Sequence, residues 1–212
     1  MMPPAVTEYA AGRSWAKAWQ HEYRYGVWLI YPPEPHRSAV TALRERYAWS
    51  QSSRCDAHIS LSLPLPRPVT AADVAELQAA LSQVQPFRVS FGPLVRQPAH
   101  RGVVLEVSPQ DSLRALLEKV EATSAFAGAV PRKYPFWAHL TIAEMVTWEQ
   151  TYAIIEELAD LPLSGEFDLA YLSYAVPDEE FSFTERARVY LGRADTPPAH
   201  RSSPEDRPNG PD

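Results

Sequence analysis

The sequence predicts an α+β protein of two pseudo-symmetric lobes, each an antiparallel-type sheet with helices on one face, with an active-site cleft between them. Three observations lead there. The order strand–helix–strand–helix–strand occurs twice, over about 25–96 and again over about 102–176. The elements are bounded by prolines, glycines and capping residues at regular intervals. The middle strand of each repeat opens with a histidine, followed two residues later by a hydroxyl side chain. Identity between the halves is low, so the repeat is one of pattern. The expected organisation is an N-terminal extension over 1–24, a bilobal domain over 25–194 with lobes of about 25–96 and 102–194, and a disordered tail over 195–212.

The elements follow from local chemistry. Tyr25 to Tyr31 (YGVWLIY) is apolar, rich in Val, Ile and aromatics, and stopped by Pro32-Pro33, as a buried strand is. Ser38 to Ala48 spaces Val40, Leu43 and Tyr47 by three and four, which makes a helix face. Ala57 to Leu65 (AHISLSLPL) alternates strictly and reads as a strand. Thr70 and Asp73 form a capping box for a helix with Val74, Leu77 and Leu81 on one face. Phe87 to Val95 is the next strand. The second repeat opens with Gly102 to Val107 as a strand. Ser108-Pro109 then begins a helix whose stripe is Leu113, Leu116, Leu117 and Val120, with the proline at the first helical position. Ala138 to Ala143 is a strand. Thr147 and Gln150 cap a helix carrying Tyr152, Ile155 and Leu158. Phe167 to Val176 and Arg188 to Leu191 are the closing strands. Glu8 to Trp19, with Trp15 and Trp19 four apart, reads as a helix outside the core and without a role in the site.

Composition narrows the function. The 212 residues are 45% apolar and 22% charged, near the globular average, which excludes wholesale disorder. A net charge of −6 with a pI near 5.5 argues against coating nucleic acid by bulk charge, but leaves room for a local phosphate pocket. No apolar run approaches the ~18 residues of a membrane span, and Met1-Met2-Pro3-Pro4 does not open a secretory signal. A cytoplasmic location with no membrane contact is expected. Cys55 is the one cysteine, so there is no intramolecular disulfide framework and no thiolate zinc site, and it reads as a packing residue. Of the 21 prolines, five lie between Pro197 and Pro211 among Ser, Asp, Arg and Gly, where apolar periodicity ends.

The candidate chemistry lies in His58-Ile59-Ser60 and His139-Leu140-Thr141. Strand alternation puts His58, Ser60 and Ser62 on one face and Ile59, Leu61 and Leu63 on the other. His139 and Thr141 likewise oppose Leu140 and Ile142. The apolar sets bury against helices, which leaves both His-hydroxyl pairs facing a shared cleft. His36-Arg37-Ser38 and His200-Arg201-Ser202 match the same spacing, so the tripeptide alone carries little weight. Matched position in the two repeats singles out His58 and His139. No Asp or Glu adjoins either motif on its face, which argues against a metal site, and no cofactor is expected.

Paired His-x-Ser/Thr motifs about 80 residues apart, each on a strand of a pseudo-symmetric half, resemble the 2H phosphoesterase superfamily, which includes 2′-5′ RNA ligase-like proteins and cyclic phosphodiesterases. Tyr134-Pro135-Phe136-Trp137-Ala138-His139-Leu140-Thr141-Ile142-Ala143 is similar to that family's Pro-Phe-x-x-His-x-Thr-hydrophobic-Ala stretch. His58-Ile59-Ser60-Leu61 has Ser where many members have Thr. The resemblance covers about 25–194. Many RNA-ligase-like members carry Arg just after the second motif, where this chain has Glu144; this tilts the expectation toward small substrates.

What the resemblance implies is a metal-independent phosphodiesterase that hydrolyses a 2′,3′-cyclic phosphate or 2′-5′ phosphodiester of nucleotides or RNA ends. His58 and His139 would be its acid and base, with His58 provisionally protonating a ribose oxygen and His139 activating water. Ser60 and Thr141 would bind the non-bridging phosphate oxygens. Lys133, Tyr134, Trp137 and Arg54 are candidate substrate contacts, weighed against lobe packing and solvated loop charge. Alternatives are a nucleotide- or RNA-end-binding module without turnover, and ligation, the reverse reaction at the same residues. The expected partner is the nucleotide or RNA-end substrate, with no obligate protein partner and a monomeric state.

Overall fold

A computed structural model of the chain describes residues 8–47, 55–98 and 100–192. Arg54, His200, Ala48 and the expected tail over 195–212 therefore lie outside the described residues. Eight strands form one antiparallel sheet: β1 (Val27–Ile30), β2 (Ile59–Ser60), β3 (Phe87–Arg96), β4 (Gly102–Ser108), β5 (His139–Glu144), β6 (Gly165–Leu169), β7 (Tyr171–Pro177) and β8 (Phe183–Tyr190). The α-helices are α1 (His36–Tyr47), α2 (Ala71–Leu81), α3 (Gln110–Glu121) and α4 (Trp148–Leu158). The expected α+β architecture with helices against a two-part sheet is present.

The strand order is β6-β3-β4-β5-β2-β1-β7-β8. Two four-stranded halves meet at the short β5–β2 pairing, where Ile59 faces Leu140. These halves are not the two halves of the sequence. Each repeat gives a later strand to the other: β3 runs beside β4, and β7 runs beside β1. The sheet also curls. Only Ala170 separates β6 from β7, which lie toward opposite ends of the strand order, and one linking residue spans about 7 Å at most. The Leu191 N–H donates to the Ala170 carbonyl at 2.9 Å and ties the end of β8 to this crossing.

Alternation places the core. Trp28, Ile30, Ile59, Leu61, Leu105, Leu140 and Ile142 belong to one large cluster with the inward faces of all four helices. Val27, Leu29, Tyr31, Cys55 and Ala175 form a second, smaller cluster. β1 is therefore buried on both faces, which explains its uninterrupted apolar run. Gly26 turns the chain into β1 at φ +85°, where a Cβ would lie 2.5 Å from the Ala175 carbonyl oxygen.

Several expectations are corrected. The strand expected over Ala57 to Leu65 is regular only at Ile59–Ser60. Leu61 N–H and Ser62 N–H both donate to the Trp28 carbonyl, a bulge-like irregularity that ends the alternation. Ser62 consequently turns inward, 5% exposed, and its Oγ accepts from Trp28 N–H at 3.0 Å instead of joining His58 and Ser60. The single closing strand over Phe167 to Val176 is two strands, split at Ala170. Pro109 is the N-cap of α3 and not its first helical residue. The buried face of α4 is Thr151, Ile154 and Leu158, while Tyr152 is exposed. Residues 8–17 form no helix; a 3-10 helix spans Ala18–Tyr25, and Trp15 is buried against the β7–β8 turn.

Candidate active site

The site grows from the β2–β5 joint. Because Ile59 stands opposite Leu140 in an antiparallel pair, one step outward sets Ser60 opposite His139 and His58 opposite Thr141. Each histidine is thus the cross-strand neighbour of the other motif's hydroxyl, around a local two-fold through the Ile59–Leu140 pair. Ile59 and Leu140 are fully buried on the helix side, which commits the four polar side chains to the other face.

The imidazoles are held alike. His58 Nδ1 lies 2.7 Å from the Asp56 carbonyl oxygen, and His139 Nδ1 lies 2.8 Å from the Trp137 carbonyl oxygen. A carbonyl only accepts, so each Nδ1 carries the proton and donates. Each Nε2 then has its lone pair free when the ring is neutral. Trp137 stacks on His139, with ring centroids 5.1 Å apart and planes at 26°. Tyr31 meets His58 edge-on at 6.3 Å. Gln110 fixes the approach to β5: its Nε2 donates to the Ala138 carbonyl at 2.8 Å, and its Oε1 accepts from Ala138 N–H at 2.9 Å.

Charge breaks the symmetry. Arg44 on α1 donates from Nη1 to the Thr141 carbonyl at 2.8 Å. Loss of hydration pushes His58 down to about 3, with the Arg44 guanidinium adding to the effect and His139 contributing. His139 is also lowered by burial, and by Arg44 and His100, but its Trp137 carbonyl bond and the Glu144 carboxylate, which has no counterpart at His58, oppose that shift. Burial pushes the Cys55 thiol up to about 11, in keeping with its expected packing role.

Two cavities adjoin the pair. One, of about 180 Å³, is lined by His58, Ser60, His139, Thr141, Arg44 and Glu144 together with Trp19, Tyr23, Phe181 and Phe183. The other, of about 490 Å³, shares Ser60 and His139 and extends over Lys133, Tyr134, Trp137, Arg132 and His100. The expected contacts Lys133, Tyr134 and Trp137 therefore line one pocket beside the motifs. Arg132 there is a structural tie, donating to the Leu61 carbonyl at 2.7 Å and to Glu121 at 2.8 Å. Glu106 faces His139 across the β4–β5 ladder, a neighbour that adjacency in sequence did not reveal. Among the described residues no group of three or more His, Cys, Asp or Glu is placed to hold a metal ion, and no helix is long and apolar enough to cross a membrane.

The sequence reading missed Arg44, Trp19, Tyr23 and the Phe181/Phe183 pair. Arg44 had a signal: it lies four residues after Val40 and three before Tyr47, the two buried residues of α1, and an arginine on a buried helix stripe is uncommon. The aromatics had none, because their place beside the histidines depends on the β7–β8 hairpin lying across the N-terminal segment.

Solved structures of similar fold include E. coli LigT complexed with 3′-AMP, at 17% identity and a TM-score of 0.54, covering 79% of this chain and 97% of that one. A crystal structure described as a phosphoesterase gives 17% identity and a TM-score of 0.53, with the same coverage of 79% and 97%. The protein TT0787 of Thermus thermophilus gives 16% and 0.50, covering 78% and 96%. At these identities the likeness is one of fold. No curated protein sequence matches the chain. The model of the 2′-5′ RNA ligase superfamily matches residues 32–179, a span that contains both histidine motifs and the joint between them, and the chain belongs to that superfamily.

Proposed function

We propose that this protein is a phosphodiesterase that opens a 2′,3′-cyclic phosphate, or cleaves a 2′-5′ phosphodiester, of nucleotides or RNA ends by two-histidine acid/base catalysis. The observation that carries this reading is the convergence of His58, Ser60, His139 and Thr141 on one cavity about the Ile59–Leu140 pair, with both Nδ1 atoms engaged by carbonyls. A phosphorus seated between the rings has one Nε2 on each side, which suits in-line displacement. One ring takes the proton of the attacking water and the other gives a proton to the leaving ribose oxygen. Ser60 and Thr141 donate to the non-bridging oxygens, where charge accumulates.

The charges divide the roles. His139, beside Glu144, is the imidazole that more readily holds a proton, so it serves as the acid. Arg44 depresses both rings, and His58, with no carboxylate to oppose its depression, stays neutral and serves as the base. This reverses the provisional assignment drawn from the family resemblance. The larger pocket, with Lys133 and Tyr134 at its rim, takes the substituent on the far side of the phosphorus.

Turnover of the four nucleoside 2′,3′-cyclic phosphates in EDTA tests the reading. Wild-type protein is expected to be active, with losses of roughly 10²–10⁴-fold in His58→Ala and in His139→Ala. Unchanged activity in either variant rejects the mechanism. Wild-type protein that binds nucleotide with no turnover is instead a binding module. Accumulation of joined RNA ends from supplied termini identifies the reverse, ligating direction.

A further inference from the structure

Arg44 faces the smaller cavity with most of its guanidinium unengaged. Among the described residues that line this cavity it is the one Lys or Arg, set against Glu144 as the one Asp or Glu. Its Nη1 donates to the Thr141 carbonyl at 2.8 Å, and among the described residues its side chain makes no other hydrogen bond. No carboxylate among them forms an ion pair with it, whereas Arg46 on the same helix pairs with Glu157. The donors on Nε and Nη2 are therefore left without a described protein acceptor.

The side chain reaches the cavity from the packed side of its helix. α1 lies against β5, and Arg44 stands between Val40 and Tyr47 on the buried stripe. It is half-buried there, so its charge has given up part of its water for a single carbonyl, which does not offset the burial of a cation. An anion in the cavity supplies the acceptors that the protein does not. The other donors around the cavity bring little positive charge. Ser60 and Thr141 are neutral, and burial holds both imidazoles below their ordinary range. Without Arg44, a phosphodiester entering the cavity meets Glu144 with no fixed cation to balance it.

We propose that Arg44 is a phosphate-binding residue of this site: its free N–H groups take a non-bridging oxygen on the Thr141 side and neutralise the charge that builds there as the phosphorus is attacked. A planar fork holds the Thr141 carbonyl with one nitrogen and a phosphate oxygen with the others, a division that a lysine ammonium does not reproduce. The carbonyl bond fixes the plane of the fork before the substrate arrives, so the donors need no rearrangement during the reaction. The two non-bridging oxygens become unequal. One is shared by Thr141 and Arg44, and the other has Ser60 as a neutral donor. The inference rests on the proposed phosphodiester reading for what occupies the cavity.

Calorimetric binding of inorganic phosphate to wild type, Arg44→Gln, Arg44→Lys and Arg46→Gln tests the contact without turnover. It is measured at about pH 8, where imidazoles depressed below their ordinary range are neutral. Expected is a loss of roughly 10-fold or more for Arg44→Gln, a smaller loss for Arg44→Lys and none for Arg46→Gln. Unchanged affinity in Arg44→Gln, an equal loss in Arg46→Gln, or wild-type protein that binds no phosphate overturns the inference. The two diastereomers of uridine 2′,3′-cyclic phosphorothioate read the same contact during reaction. Arg44→Gln is expected to lose roughly 10²–10³-fold on the all-oxygen substrate, and with it the wild-type preference between the diastereomers. A preference as large in Arg44→Gln as in wild type overturns the assignment, because loss of a mere tie between α1 and β5 leaves it in place. Phosphate binding that depends on Arg44 in a protein that opens no cyclic phosphate keeps the phosphate contact and loses the catalytic reading.

Discussion

Each imidazole gives its Nδ1 proton to the carbonyl two residues before it and lines the cavity with a hydroxyl of each motif; what differs is the carboxylate beside one of them. Glu144 favours the imidazolium of His139. Replacing it by Gln removes that support, so His139 releases its proton at lower pH. With His139 as the acid, the alkaline limb of the bell-shaped rate profile of Glu144→Gln is expected to move to lower pH, and the acid limb to hold its place. A profile that moves only on its acid side would assign the carboxylate to the other histidine. Glu144 was noticed in the sequence as a departure from the family pattern. Its neighbours were hidden, because Arg44 comes from a helix nearly a hundred residues earlier in the chain and meets β5 only in three dimensions.

Helix starts were legible because a cap is local chemistry. Thr70 Oγ1 accepts from Asp73 N–H at 3.2 Å and Asp73 Oδ2 accepts from Thr70 N–H at 2.7 Å, as the capping box requires. The structure adds Arg67, whose guanidinium grips the Asp73 carboxylate at 2.6 and 2.8 Å and holds it well below the usual carboxylate range. Asp73→Ala removes both the cap and the ion-pair partner, and urea unfolding is expected to show a loss of about 2 kcal/mol. A loss below about 0.5 kcal/mol would show that Arg67 and water re-satisfy the helix end. Strand ends were less legible. Nothing in the residues 165–177 marks Ala170 as a crossing, since the apolar run continues through it and neither Gly nor Pro interrupts. Ser62 likewise kept its alternation on paper; a second donor on the Trp28 carbonyl turned it inward. Both outcomes depend on partners elsewhere in the sheet.

The whole sheet is held together by exchange between the repeats. β3 has β6 and β4 on its flanks, and β1 has β2 and β7, so each repeat supplies strands that only the other completes. The division of the sequence into two patterned halves was visible, but their exchange of strands was not, because pattern records periodicity and not pairing. Separate fragments ending before and starting after residue 99 are expected to lack cooperative unfolding transitions by circular dichroism, and mixing them to restore one. A fragment that melts cooperatively by itself would show that its half is self-sufficient. The exchange also sets a time of onset for the site during synthesis. When a ribosome has translated His139, the strand that covers the free edge of β1 has yet to be made, and Phe183 comes later still. A nascent chain holding both histidines therefore carries an incomplete sheet and an unwalled pocket, and function begins only when the final hairpin emerges and folds.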